Sequence, residues 1–118
     1  MYGLPPDFDA SIFVGRELEQ VSFSANTVHF TFDDDIAITL ESSFLFQTDK
    51  TKTAVKQEPP VQSSNIMSLV GRRVCSALST SDGTLQLEFT GDGTLTCIDD
   101  SKAYESYHIW VCGKEIVV

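Results

Sequence analysis

Asp82-Gly83-Thr84-Leu85-Gln86-Leu87-Glu88-Phe89-Thr90-Gly91-Asp92-Gly93-Thr94-Leu95-Thr96-Cys97 is the stretch that decides the fold. Leu85, Leu87 and Phe89 alternate with Gln86 and Glu88, so an extended chain has one apolar and one polar side. Asp82-Gly83 is a hairpin-turn sequence, and Gly91-Asp92-Gly93 makes the next turn. Leu95 and Cys97 then resume the alternation. With Val74 to Leu78 in front, the stretch predicts a three-stranded antiparallel meander.

The same plan occurs earlier in the chain. Val14-Gly15-Arg16 opens one half as Val70-Gly71-Arg72 opens the other, at an offset of 56. Val28, Phe30 and Phe32 match Leu85, Leu87 and Phe89 at an offset of 57. Ile36 and Ile38 align with Leu95 and Cys97 at 59, and Glu41-Ser42 with Glu105-Ser106 at 64. The offset changes only between apolar runs, as it must if insertions fall in turns, because one residue added inside a strand inverts every later side chain. Two copies of one supersecondary unit are expected to pack about a shared axis.

Around this frame, Asp7 or Asp9 is placed to cap a short helical turn before Ile12-Phe13. Glu17 to Phe23 reads as the first strand, and Asp33-Asp34-Asp35 as the turn between Phe32 and Ile36. From Ile36 the alternation continues through Leu40 to Phe44 and Phe46. Residues 47–62 are a polar connector that can carry a short hairpin extension of that strand. Ser63 or Ser64 precedes a second helical turn over Ile66 to Leu69, ended by Gly71. Tyr104 to Val111 is a last long strand, apolar or aromatic on both faces, which predicts a central position. Cys112-Gly113-Lys114 then turns the chain into Glu115 to Val118.

About eight short strands result, separated by regular turn signals. The expected fold is all-β and mainly antiparallel. Two pseudo-symmetric three-stranded meanders form a sandwich or partly open barrel, with at most one or two short helical turns. Residues 1–118 are expected to be a single domain. Repeat 1 spans about 12–46, the connector 47–62 and repeat 2 about 68–112.

The net charge of −9 argues against nucleic acid, whose binding needs a basic surface, and against anionic membranes. It favours encounter with a basic partner. No apolar run approaches the roughly 20 residues of a membrane span. The N-terminal residues lack the basic and apolar regions of a signal peptide, so a cytoplasmic protein is expected. Cys75, Cys97 and Cys112 show no CxxC spacing and read as buried free thiols.

Several residues carry a resemblance. Leu40-Glu41-Ser42-Ser43-Phe44 ends the first half. The second half has Val-Gly-Arg (70–72), Asp-Gly-Thr-Leu-x-Leu-x-Phe (82–89), Gly-x-Leu (93–95) and Tyr-Glu-Ser-Tyr (104–107). Over about residues 12–112 the chain resembles a family of small, uncharacterised bacterial proteins, a domain of unknown function. Its members show an Ile-Glu-x-x-Phe-like strand early and a Tyr-Glu-Ala-Trp-like strand late. Many run on into a Pro-Gly-Gly-like end, where this chain has Ile116-Val117-Val118. The resemblance implies a bacterial cytoplasmic protein with no established activity, and it supplies no catalytic residues.

No residue is assigned as catalytic or metal-binding, and no cofactor is expected. The candidate binding residues are Arg16, Glu41, Arg72, Tyr104, Glu105, Tyr107 and Trp110. Glu41 and Glu105, brought together by a pseudo-dyad, would form a carboxylate pair able to do acid–base work. Alternatively each pairs structurally with Arg16 or Arg72. Tyr104, Tyr107, His108 and Trp110 are an aromatic cluster that serves either as a binding face or as core. The acidic turns lack the spacing of an EF-hand calcium loop, and no G-x-S-x-G elbow supports a hydrolase. Two functions follow. The first is a non-enzymatic interaction protein with a basic partner or as a homodimer. The second is a small enzyme or ligand-binding protein with its site between the repeats around Glu41 and Glu105.

Overall fold

In the computed structural model, residues 8–25, 27–41, 44–47, 55–57, 66–80, 82–91, 93–98, 107–111 and 114–118 are described. Ten strands run in chain order. They are β1 (Leu18–Phe23), β2 (Val28–Phe32), β3 (Ile36–Leu40), β4 (Phe44–Gln47), β5 (Val55–Gln57), β6 (Val74–Ser79), β7 (Leu85–Phe89), β8 (Thr94–Cys97), β9 (Tyr107–Val111) and β10 (Lys114–Val117). Two 3-10 turns, Ala10–Phe13 and Ile66–Leu69, precede β1 and β6. Asp9 caps the first, its carboxylate accepting from the Ser11 N–H at 3.0 Å; Ser63 and Ser64 lie outside the described residues.

The strands form two antiparallel five-stranded sheets, ordered β1-β2-β3-β9-β10 and β5-β4-β8-β7-β6. Each meander keeps its own sheet, while the strands that follow it join the other. Thus β4 pairs with β8, and β9 pairs with β3. The long strand expected from Ile36 to Phe46 is therefore two strands in different sheets. The apolar alternation has the same phase on both sides of the crossing, since Ile36, Ile38, Leu40, Phe44 and Phe46 are all buried.

The sheets pack face to face as a sandwich. Phe30 of the first sheet meets Phe44 of the second edge-on, with ring centroids 6.2 Å apart, and Phe32 stacks on Phe89 at 6.4 Å. The buried apolar side chains of both sheets form one core. At about 25 cal/mol per Å² of apolar surface removed from water, this burial is the main stabilising term.

The two halves meet at a seam built from the paired tripeptides. Glu17 and Arg73 form an antiparallel bridge, around which the backbone bonds are reciprocal. Leu18 N–H donates to Arg72 O and Val74 N–H to Arg16 O, both at 2.9 Å. Gly15 N–H donates to Val74 O and Gly71 N–H to Leu18 O, both at 2.7 Å. Gly15 and Gly71 have φ of +85° and +89°, a conformation glycine adopts without the Cβ clash. This explains the repeated Val-Gly-Arg: it is a structural joint.

Strand pairing also corrects the repeat register. Phe30↔Ile38 in one half corresponds to Leu87↔Leu95 in the other, so β3 and β8 are related by 57, not 59. Ile38↔Ile109 corresponds to Leu95↔Phe46, so β4 and β9 are related by 63, not 64. Ser42, Glu105 and Ser106 of the two Glu-Ser pairs lie outside the described residues. Both first strands bulge at the same place, between Leu18 and Gln20 and between Val74 and Ser76.

Candidate functional site

The outer face of the first sheet is built from two cross-strand rows. One runs Gln20, Thr31, Ala37, Trp110, Glu115, and the other Ser22, His29, Thr39, His108, Val117. These residues face outward because period-two alternation sends their neighbours Phe30, Ile38 and Ile109 into the core. Both histidines and the single tryptophan of the chain stand in these rows.

His108 is the centre of a charged cluster. Its Nε2 lies 3.0 Å from a carboxylate oxygen of Glu41, and its Nδ1 lies 2.7 Å from one of Glu115. Partial burial opposes its charge more than any single interaction favours it. The hydrogen bonds and charges of Glu41 and Glu115 together outweigh that burial and raise its pKa above the ordinary 6.5. Both ring nitrogens are engaged, so the imidazolium is held as a double donor. The carboxylates occupy opposite edges of the ring and cannot converge with it on one ion. In the neighbouring strands His29 Nδ1 meets the Thr39 hydroxyl.

Trp110 lies beside this cluster with 37% of its surface exposed. Its cross-strand neighbours are Ala37 on β3 and Glu115 on β10. Ala37 also lines a shallow groove of about 530 Å³, with Glu19, His29, Thr31, Phe32, Asp34, Asp35 and Ile36. On the other side of the same turn, Arg16, Ile12 and Val111 line a second depression of about 460 Å³. Asp34 and Asp35 both have φ of +58°, the left-handed region that non-glycine residues seldom adopt.

The candidate residues divide accordingly. Arg16 contacts Asp34 and lies 4.0 Å from Asp33, so among the described residues its carboxylate partners are aspartates rather than glutamates. Arg72 donates to Gly91 O at 3.0 Å, in the place equivalent to the Arg16 contact with Asp34. Glu41 binds His108 on the outer face. Trp110 is on the surface, but Tyr107 is fully buried and its hydroxyl donates to Gly83 O at 2.6 Å. The aromatic cluster therefore splits: Tyr107 fills the core and Trp110 faces solvent. Tyr104 and Glu105 lie outside the described residues.

Among the cysteines, Cys97 is buried, and burial pushes its thiol up to about 12. Cys75, expected to be buried, is exposed, because the bulge after Val74 turns it outward. Cys112 is outside the described residues. Glu115 and His29 were missed as site residues, and His108 was singled out only as part of the aromatic cluster. The turn expected from the sequence at Cys112-Gly113-Lys114 carries the signal for Glu115, since β10 pairs with β9 and sets Glu115 opposite Trp110.

Among the described residues, no group of three or more His, Cys, Asp or Glu side chains is placed to hold a metal ion. No helix among them is long and apolar enough to cross a membrane. The model of a family of unknown function, DUF6188, matches residues 10–118, and the chain belongs to that family. No curated protein and no solved structure matches the chain.

Proposed function

We propose that this is a non-enzymatic interaction protein of the cytoplasm that binds a basic partner protein through the outer face of its first sheet. The observation that carries this reading is the exposed Trp110 set in a flat strand surface between Ala37 and Glu115. Tryptophan concentrates at the centre of protein interfaces, where it brings large area at little entropic cost. The net charge of −9 supports a basic partner, since complementary charge accelerates encounter and excludes wrong partners. The engagement of both His108 nitrogens favours binding over acid–base chemistry, because neither is free to take a proton from a substrate. The alternative, a small-molecule site between the repeats at Glu41, is less well supported: the carboxylate of Glu41 is turned to His108 on the outer face.

Affinity capture from the source organism's lysate, at low and moderate salt, tests the reading. A basic protein retained in stoichiometric amount at low salt and lost at moderate salt is the expected result. Retention unchanged by Trp110→Ala, or no retained protein at all, would count against it.

A further inference from the structure

The groove beside Trp110 suits one kind of side chain. Adjacent strands are about 4.8 Å apart, so Thr31 and Trp110, one strand either side of Ala37, stand roughly 9–10 Å apart. Ala37 between them rises no higher than a methyl group. Trp110 stands next to Ala37 by strand register, beside the groove rather than in its lining, which also includes His29 and Phe32. Glu19, Asp34 and Asp35 rim the groove that Thr31 and Ala37 line. Asp34 is engaged by Arg16, while Glu19 and Asp35 have no ion-pair partner among the described residues. A planar cation fits these surroundings: it can lie along the indole and meet carboxylates at its edge. Guanidinium does both, whereas ammonium, compact and strongly hydrated, stacks less well.

We propose that the groove over Thr31 and Ala37 docks an arginine side chain of a basic partner protein, with Trp110 beside its guanidinium and Asp35 and Glu19 as its carboxylate partners. This rests on the interaction reading above and specifies where and through what chemistry the partner is held. Asp35 lines the groove and sits at φ +58°. Asparagine tolerates the same conformation, so Asp35→Asn removes the charge and preserves the turn.

The test uses the full chain and the fluorescence of its single tryptophan. The protein is titrated with the peptide Gly-Arg-Gly-Arg-Gly and with its lysine counterpart. Saturable change with the arginine peptide, weaker with lysine, is expected. Asp35→Asn should weaken binding roughly three- to tenfold, and Ala37→Leu, which fills the groove, should abolish it. Glu88→Gln on the opposite sheet should change it by less than about twofold. Circular dichroism confirms that each variant is folded. Unsaturable binding, an Ala37→Leu protein that binds normally, or a Glu88→Gln effect equal to that of Asp35→Asn would overturn the proposal. So would a Trp110 signal that depends on protein concentration without peptide, because it would assign the face to a second copy. Partner capture left intact by Ala37→Leu and Asp35→Asn would remove this docking site and leave the interaction reading standing. Failure of the unmodified protein to retain any partner would remove that reading, and the docking site with it.

Discussion

The two halves share a backbone and differ in what they carry on it. Around the seam their backbone hydrogen bonds match, down to paired 2.7 Å and 2.9 Å contacts. Their outer faces have little in common. The first sheet presents His29, Thr39, His108 and Trp110, whereas the second presents Ser76, Leu78, Gln86, Glu88, Thr94 and Thr96. Asp34, engaged by Arg16, is replaced in the second half by Gly91, whose carbonyl accepts from Arg72. Duplication constrains the core and the joint, where every side chain must fit. The solvent faces are free to diverge, so the unmatched chemistry of the first sheet is where function is to be sought.

The comparison is most severely tested in the core. Phe30 and its counterpart Leu87 are both fully buried. Phe30→Ala should cost about 3–5 kcal/mol and Leu87→Ala about 2–5 kcal/mol, read from denaturant midpoints. A near-neutral result at either position would mean that the two halves do not share one core.

At the joint, no heavy atom lies within 4 Å of a Cβ added at Gly15 or Gly71. Only left-handed strain then opposes Gly15→Ala and Gly71→Ala, about 1–2 kcal/mol each. Equal losses in thermal unfolding would confirm that the halves use the joint alike. A large inequality would break the symmetry.

The turns should differ. Asp35→Gly removes a strained residue that forms no ion pair among the described residues, and should stabilise by up to about 1 kcal/mol. Its cost appears in peptide binding rather than in folding.

The smallest effect belongs to the His108 cluster, which has no counterpart among the described residues of the second sheet. Its pKa is raised on folding, so its stabilisation is fully present below the ordinary histidine value of about 6.5 and is lost as pH rises through the higher folded value. Glu41→Gln and Glu115→Gln should each lower the His108 pKa, followed by NMR titration, and flatten that pH dependence. The cluster is only partly buried, so solvent screening keeps the stability change small.

Much of the fold was legible because period-two alternation reports burial directly. Leu85, Leu87 and Phe89, like Val28, Phe30 and Phe32, face the core as their spacing requires. The turn at Gly83, the Asp9 cap and the short β5 extension of β4 also follow the sequence. The crossing between Leu40 and Phe44 was not legible, because alternation carries no information about which sheet receives a strand. The site was legible only in pieces. Trp110, Arg16 and Glu41 could be singled out by residue type, but Tyr107 could not be told from a surface aromatic. In the core its hydroxyl donates to the Gly83 carbonyl, a partner distant in the chain.

By itself the sequence determined an antiparallel β protein of two related meanders, each opened by Val-Gly-Arg, because local alternation, turn chemistry and repetition are properties of neighbouring residues. The tertiary structure decided that β4 and β9 exchange sheets, that Glu41 and Glu115 converge on His108, and that Trp110 stands next to Ala37, which lines a shallow groove. Those relations join residues far apart in the chain, and only the pairing register of the folded sheets brings them within contact distance.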